Sequence, residues 1–385
     1  MTPRGFPVSE FRTRTEHAQA AMEQAGYAAL FLTTEPAVRY FSGFLTRFWE
    51  SPTRPWYLIV PATGDPVAVI PSIGRALMAE TWMADIRTWR APDYRDDGVS
   101  LLADTLEELV PEGETIAVPC EIETHLRMPL ADWQALQALL PRRQFTGDGG
   151  LLRRLRLIKS EAEIAKIRTA CGIADRAFAR VPEIARTGTP LSEVFRRFQM
   201  LCLEEGADWV LYLAGGAAEG GYADVISPAN ERPLQSGDVL MLDTGLIHDG
   251  YFCDFDRNYS LNAPVASHDA HAMLIDAMRA AVDIARPGKT AADLFHAIDR
   301  ILTGGAGGSD AGRYGHGLGM QLTEPPSLIP EDETELAPGM VLTLEPGIAV
   351  GGGRVIVHEE NIVIRETGVE WLSTPYGPRM TEIGT

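Results

Sequence analysis

At 385 residues the chain exceeds what one core usually supports, so its length favours two domains, each able to bury a real core. Its 34 Lys and Arg against 53 Asp and Glu leave a net charge of −19, which argues against nucleic acid or an anionic membrane surface as partner. Four widely spaced cysteines, no apolar run of the ~18 residues a membrane span needs, and no signal-peptide stretch at the start place the expectation in the cytoplasm, with reduced thiols.

The first part alternates helical and strand patterns. A helix is expected from about Phe11 to Glu23, then an apolar strand at Ala28 to Leu32. Trp56 to Val60 and Pro66 to Ile70, separated by Pro-Ala-Thr-Gly-Asp, read as a hairpin. Helical stretches at Leu101 to Leu109 and Leu130 to Leu140 flank a strand at Thr115 to Val118, completing a small α/β domain. The Thr146-Gly-Asp-Gly-Gly150 cluster marks the expected boundary, giving domains 1–150 and 151–385. Beyond it, Ser160-Glu-Ala-Glu163 is a capping box opening a helix that runs to about Arg180.

The second domain repeats itself. Gly237-Asp-Val-Leu-Met-Leu-Asp243-Thr-Gly245 returns as Gly339-Met-Val-Leu-Thr-Leu-Glu345-Pro-Gly347, an offset of 102 (339 − 237). Arg186 to Phe195 resembles Arg286 to Phe295 in residue type at most positions, an offset of 100 (286 − 186). Two segments in the same order at nearly the same offset indicate two helix-then-strand halves, and such a pair places a site at its junction.

Val239 to Leu242 is wholly apolar, which suggests a strand buried on both faces with Asp243 at its inner end. A hairpin through Gly250 would bring Asp254 beside it, while Glu345 ends a strand and Val355 to Glu359 form the next. Carboxylates converging there would repel and resist ionising unless one or two divalent metals joined them. His316, among glycines at 315, 317 and 319, supplies an imidazole where the backbone approaches closely. This mainly hard-oxygen set suits manganese, iron or cobalt, with zinc compatible, and two metals holding a hydroxide would make nucleophile and electrophile together.

Asp243-Thr-Gly, Asp254 before Arg257, Gly315-His316-Gly-Leu-Gly319, Leu344-Glu345-Pro-Gly347 and Glu359 resemble the five-ligand pattern of the creatinase, prolidase and aminopeptidase P family. The resemblance covers essentially the whole chain and implies an α/β N-terminal domain followed by an α+β pita-bread catalytic domain with an internal pseudo-twofold duplication. It also implies a homodimer, a small-molecule or short-peptide substrate, and two divalent metal ions per chain held by Asp243, Asp254, His316, Glu345 and Glu359. Glu345 and His316 are the catalytic candidates, Glu345 as proton shuttle. The expected reaction is metal-dependent hydrolysis of a C–N bond, in the manner of an Xaa-Pro aminopeptidase or dipeptidase.

Two family histidines are replaced. The slot seven residues after His316 is Thr323, although the neighbouring Glu324 and Pro326 fit the pattern, and another would fall at Ile226. These departures keep open a lyase of the dimethylsulfoniopropionate-cleaving type or a creatinase-like amidinohydrolase, and a non-catalytic binding module as the remaining class. Thr323, Glu324, Arg54 and Trp49 are the candidate substrate-binding residues, with Arg39 an alternative receiver for a substrate carboxylate; packing of the aromatic hairpin is the plainer account of Trp49. His248 and His358 read as structural, Glu360 as either a support behind the ligands or a solvent-facing acid, Arg257 as a supporting charge paired with a nearby carboxylate, and Met200, Met273, Met278 and Met320 as core fillers.

Overall fold

The computed structural model describes residues 4–51, 53–307 and 312–384. The chain divides into two compact units, Pro3–Arg156 and Leu157–Thr385, the division falling within the helix that follows Gly150. Among the described residues no helix is long and apolar enough to cross a membrane.

In the N-terminal unit, α1 (Val8–Ala25) precedes β1 (Ala29–Leu32), α2 (Glu35–Ser42), β2 (Tyr57–Pro61) and β3 (Val67–Pro71). There follow α3 (Arg75–Met78), β4 (Asp85–Trp89), α4 (Val99–Leu109), β5 (Thr115–Val118), α5 (Leu130–Leu139), β6 (Gln144–Gly147) and α6 (Leu151–Leu157). The strands form one mixed sheet in the order β4-β3-β2-β1-β5-β6. The expected hairpin is present, β2 and β3 pairing antiparallel. β1 and β2 are buried along their whole length, and Phe31, Ile59, Leu102, Leu106 and Ile116 meet in the core beneath α4. At Asp148 the carboxylate accepts from the amides of Gly150 and Leu152, so the glycine cluster is the turn that starts α6.

The C-terminal unit opens with α7 (Glu161–Ala179), whose capping box is formed as expected: Ser160 Oγ accepts from the Glu163 amide and Glu163 returns a bond to the Ser160 amide. Then come α8 (Leu191–Glu204), β7 (Trp209–Glu219), β8 (Asp238–His248), β9 (Tyr251–Phe252) and β10 (Phe255–Ser260). The second half runs α9 (Val265–Ile284), α10 (Ala291–Leu302), β11 (Gly315–Gly317), β12 (Glu324–Ser327) and β13 (Val341–Leu344). It ends with β14 (Gly347–Gly351), β15 (Arg354–Val357), β16 (Glu360–Arg365), β17 (Gly368–Trp371) and β18 (Thr381–Glu382). Two helices followed by strands thus occur twice, the strands forming the sheets β18-β10-β8-β7 and β12-β11-β13-β16-β17.

Two strand expectations need correction. β8 does not stop at Asp243 but continues to His248, because the residues beyond it, Thr244 to Ile247, are as buried as those before and pair with β7. The segment Val355 to Glu359 is not one strand: pairing breaks after Val357 and resumes at Glu360 on a different partner, leaving His358 and Glu359 between. Of the four methionines read as core fillers, Met278 and Met320 are buried, whereas Met200 and Met273 lie on solvent-facing sides of α8 and α9. Since the capping box satisfies the first turn of α7, Ser160→Ala is expected to destabilise the protein by ~1 kcal/mol, read as a lowered thermal midpoint.

Candidate metal centre

The register of the two sheets brings the ligand candidates together. Asp243 lies mid-strand in β8, opposite Asp256 of β10, and Asp254 precedes β10. In the other sheet β13 pairs with β11 on one side and β16 on the other, so His316 stands opposite Thr343, while Leu344 faces Glu360 and sets Glu345 beside Glu359. Oxygen atoms of Asp243, Asp254 and Glu359 all lie within 4.8 Å of one another. His316 Nε2 is 3.4 Å from Asp254 Oδ2 and 3.6 Å from Glu345 Oε2. All five residues therefore share one centre.

Glycine allows this approach. At Gly317 a Cβ would meet the Pro325 carbonyl at 2.0 Å, and at Gly315, with φ +147°, it would meet the Thr343 carbonyl at 2.2 Å. His316 is consequently held between two close backbones, with Nδ1 2.9 Å from the Gly317 carbonyl.

Burial, reinforced by the neighbouring carboxylates, pushes Asp243, Asp254 and Glu359 well above the ordinary carboxylate range. Burial raises Glu345 as well, and drives His316 down to about 4. Asp243 Oδ1 and Glu359 Oε2 are buried with no hydrogen-bond partner among the described residues. Buried acceptors without donors are costly and rare, and a cation is what this donor set accommodates. Four carboxylates and one imidazole suit a hard or borderline divalent ion. Glu345 differs from the others in access: 27% of its side chain is exposed, against 6% for Asp254 and 4% for His316.

Below the cluster is a second layer of charge. His358, fully buried, lies 3.3 Å from both Asp256 Oδ1 and Glu360 Oε1. Although burial disfavours its charge, the two carboxylates raise its pKa, and the ring sits as a structural histidine between them. Glu360 also receives Arg257 at 3.1 Å, and despite burial its pKa falls. Tyr212 and Arg313 escaped the sequence reading. Burial, and after it the charge of Asp243, keeps the Tyr212 phenol protonated beside that carboxylate. The half-buried Arg313, three residues before His316, exerts its positive charge on Asp254, Glu345 and His316. An arginine close before the Gly-His pair was the available signal.

The structure engages two of the substrate-binding candidates, Glu324 and Trp49, in other contacts. Glu324 is buried and spent: Oε2 is 3.1 Å from Lys159 Nζ and Oε1 accepts from the Gln321 amide, which pins the loop after His316. Trp49 is buried against Trp56 with the Arg127 guanidinium over its ring, a packing role within the N-terminal unit. Arg54 donates to the Thr53 carbonyl, and Arg39 pairs with Glu35. Thr323 is partly buried, whereas Ile226 is 77% exposed.

Residues 165–366 match the family model described as Metallopeptidase family M24, and residues 14–158 match the Creatinase/Prolidase N-terminal domain. The chain belongs to metallopeptidase family M24. This M24 peptidase is 30% identical over 374 residues to the probable dipeptidase PepE of Mycobacterium tuberculosis, covering 96% of each chain. It is 31% identical over 238 residues to the Xaa-Pro dipeptidase of Pyrococcus horikoshii, covering 60% of this chain and 66% of that one. Among solved structures, dipeptidase PepE of Mycobacterium ulcerans superposes with a TM-score of 0.82 at 29% identity, covering 99% of this chain and 100% of that one. The fold is shared with the prolidase of Thermococcus sibiricus, with a TM-score of 0.86 at 22% identity over 97% and 99% of the chains. The M24 protein is thus a metal-dependent peptidase of pita-bread fold.

Without a cation, the raised carboxyls keep protons at pH values where an ordinary Asp or Glu is ionised, while His316 is already neutral near pH 7. Cation binding requires ionised carboxylates, so it should release protons and tighten as pH rises. Manganese(II) titrated calorimetrically near neutral pH, in buffers of different ionisation enthalpy, is expected to show net proton release; identical heats would count against the raised carboxyls.

Proposed function

We propose that this M24 peptidase is a dipeptidase of broad side-chain preference, using two divalent ions held by Asp243, Asp254, His316, Glu345 and Glu359. The observation that carries the reading is the convergence of these five side chains around two buried carboxylate oxygens without hydrogen-bond donors. Bound divalent ions supply an ionised water at neutral pH and polarise a scissile carbonyl. Glu345, the most accessible of the acids, takes the proton of the attacking water and delivers it to the departing amine nitrogen. His316, kept neutral by burial, remains a donor of electron density and does not enter proton transfer. Tyr212, protonated beside Asp243, orients that carboxylate. The cytoplasm and a homodimeric state complete the reading.

Thr323 and the outward-facing Ile226 place no imidazole near the scissile bond, which supports a substrate whose leaving group is an ordinary primary amine rather than a proline ring. On manganese-loaded protein, dipeptides such as Leu-Leu are expected to be cleaved with kcat/KM at least equal to that of Xaa-Pro dipeptides. Activity confined to Xaa-Pro substrates would overturn this preference, and activity only on dimethylsulfoniopropionate or creatine would overturn the dipeptidase reading.

Arg313 has no hydrogen bond or ion pair among the described residues, yet its charge reaches the centre. It is the cation we assign to the substrate's free carboxylate, the part earlier expected of Arg54. Arg313→Met should lower kcat/KM for a free dipeptide by about 10–100-fold, matching ~1.5–3 kcal/mol for a hydrogen bond to a charged group, and affect the C-terminal amide far less. Equal losses on both substrates would exclude the assignment.

A further inference from the structure

Asp254 and Glu359 share a local problem. Each sits where strand pairing is interrupted, Asp254 between β9 and β10 and Glu359 between β15 and β16. A residue between strands has no ladder to fix its peptide groups, and a carboxylate attached to a loose backbone cannot hold a fixed position.

In both places a side chain from the other half supplies the missing partners. The amide of Asn361 brackets Asp254: its Oδ1 accepts from the Asp254 N–H at 3.0 Å and its Nδ2 donates to the Asp254 carbonyl at 2.6 Å. Thr343 Oγ1 donates to the same carbonyl at 2.8 Å. Conversely, Asp256 Oδ1 accepts from the Glu359 N–H at 3.1 Å while Arg257 donates to the Glu359 carbonyl at 3.1 Å. The arrangement is reciprocal, since Asn361 stands two residues beyond Glu359 and Asp256 two residues beyond Asp254.

Both clamps are themselves fixed. Asn361, with no exposed surface, also meets Thr343 Oγ1 at 3.0 Å and Cys171 Sγ at 3.3 Å. Asp256, equally enclosed, is steadied by His358. Ser373 joins the two arms, accepting from the Asn361 N–H at 2.9 Å and donating to Glu360, which in turn holds His358 and Arg257.

We propose that Asn361 and Asp256 are reciprocal positioning residues, each fixing the metal-holding carboxylate contributed by the opposite half of the duplicated domain. The inference rests on the ligand assignment above. Neither residue touches substrate; each acts by fixing the main chain from which a ligand projects, and groups in that position commonly change metal affinity by about 10–100-fold when removed.

The test is calorimetric titration with manganese(II) of the full-length protein and four variants. Asn361→Leu removes the bracket on Asp254. Asp256→Asn keeps an oxygen for the Glu359 N–H, whereas Asp256→Val removes it. Leu201→Ala, in α8, which bears no ligand, reports what general destabilisation does to binding. We expect Asn361→Leu to weaken manganese binding by about 10–100-fold, Asp256→Asn to weaken it less than Asp256→Val, and Leu201→Ala to leave it unchanged despite a lower thermal midpoint. Wild-type affinity in folded Asn361→Leu would overturn the proposal, as would an equal loss in Leu201→Ala. If Asn361→Leu does not fold, the Asp256 pair decides, equal affinities of Asn and Val variants being the adverse result. No manganese binding by the unsubstituted protein would instead remove the ligand assignment itself.

Discussion

Concentrating negative charge in a dry interior is the constraint on which this molecule is organised. Asp243, Asp254 and Glu359 have almost no contact with water, and each stands within reach of the others. Such a cluster opposes folding unless its charge is neutralised by protons or by a cation, so the surrounding protein must supply both rigidity and counter-charge. Arg257, paired with Glu360, and Arg313, whose charge acts on Asp254, supply positive charge around it, and the apolar strands β8 and β13 provide the dry walls.

Duplication answers the geometric side of that constraint. Repeating two helices and a set of strands yields two sheets whose register delivers carboxylates to a common point from opposite directions. The halves are not equivalent in detail. The first contributes Asp243 from within a continuous strand, while the second contributes Glu345 just past a strand's end, where part of its side chain meets solvent. Solvent access to the centre is accordingly concentrated on one side.

Much of this was legible from residue order. Alternating apolar runs and turn residues located β1, the β2–β3 hairpin, β5 and the capped start of α7 to within a few residues, because local pattern decides each of them. The repeat exposed the ligand candidates, since an acid ending a mainly apolar run is unusual enough to be noticed twice. What escaped was tertiary. Nothing local in Glu324 shows that Lys159, far away in sequence, will neutralise it, and hairpin packing was the plainer account of Trp49 but only the Arg127 guanidinium over its ring fixes it there. The extension of β8 past Asp243 was missed because Thr244 and Gly245 resemble a turn, although pairing with β7 carries the strand through them. Asn361 and Tyr212 gave no signal of their own; their importance exists only in contact with Asp254 and Asp243.

The unequal access of the acids has a chemical consequence. Glu345 alone among the site's carboxylates meets water appreciably, so the centre has one carboxyl group at its boundary with solvent. In the mechanism we propose, that one carboxyl group serves both the protons displaced as ions load and those handed on during turnover.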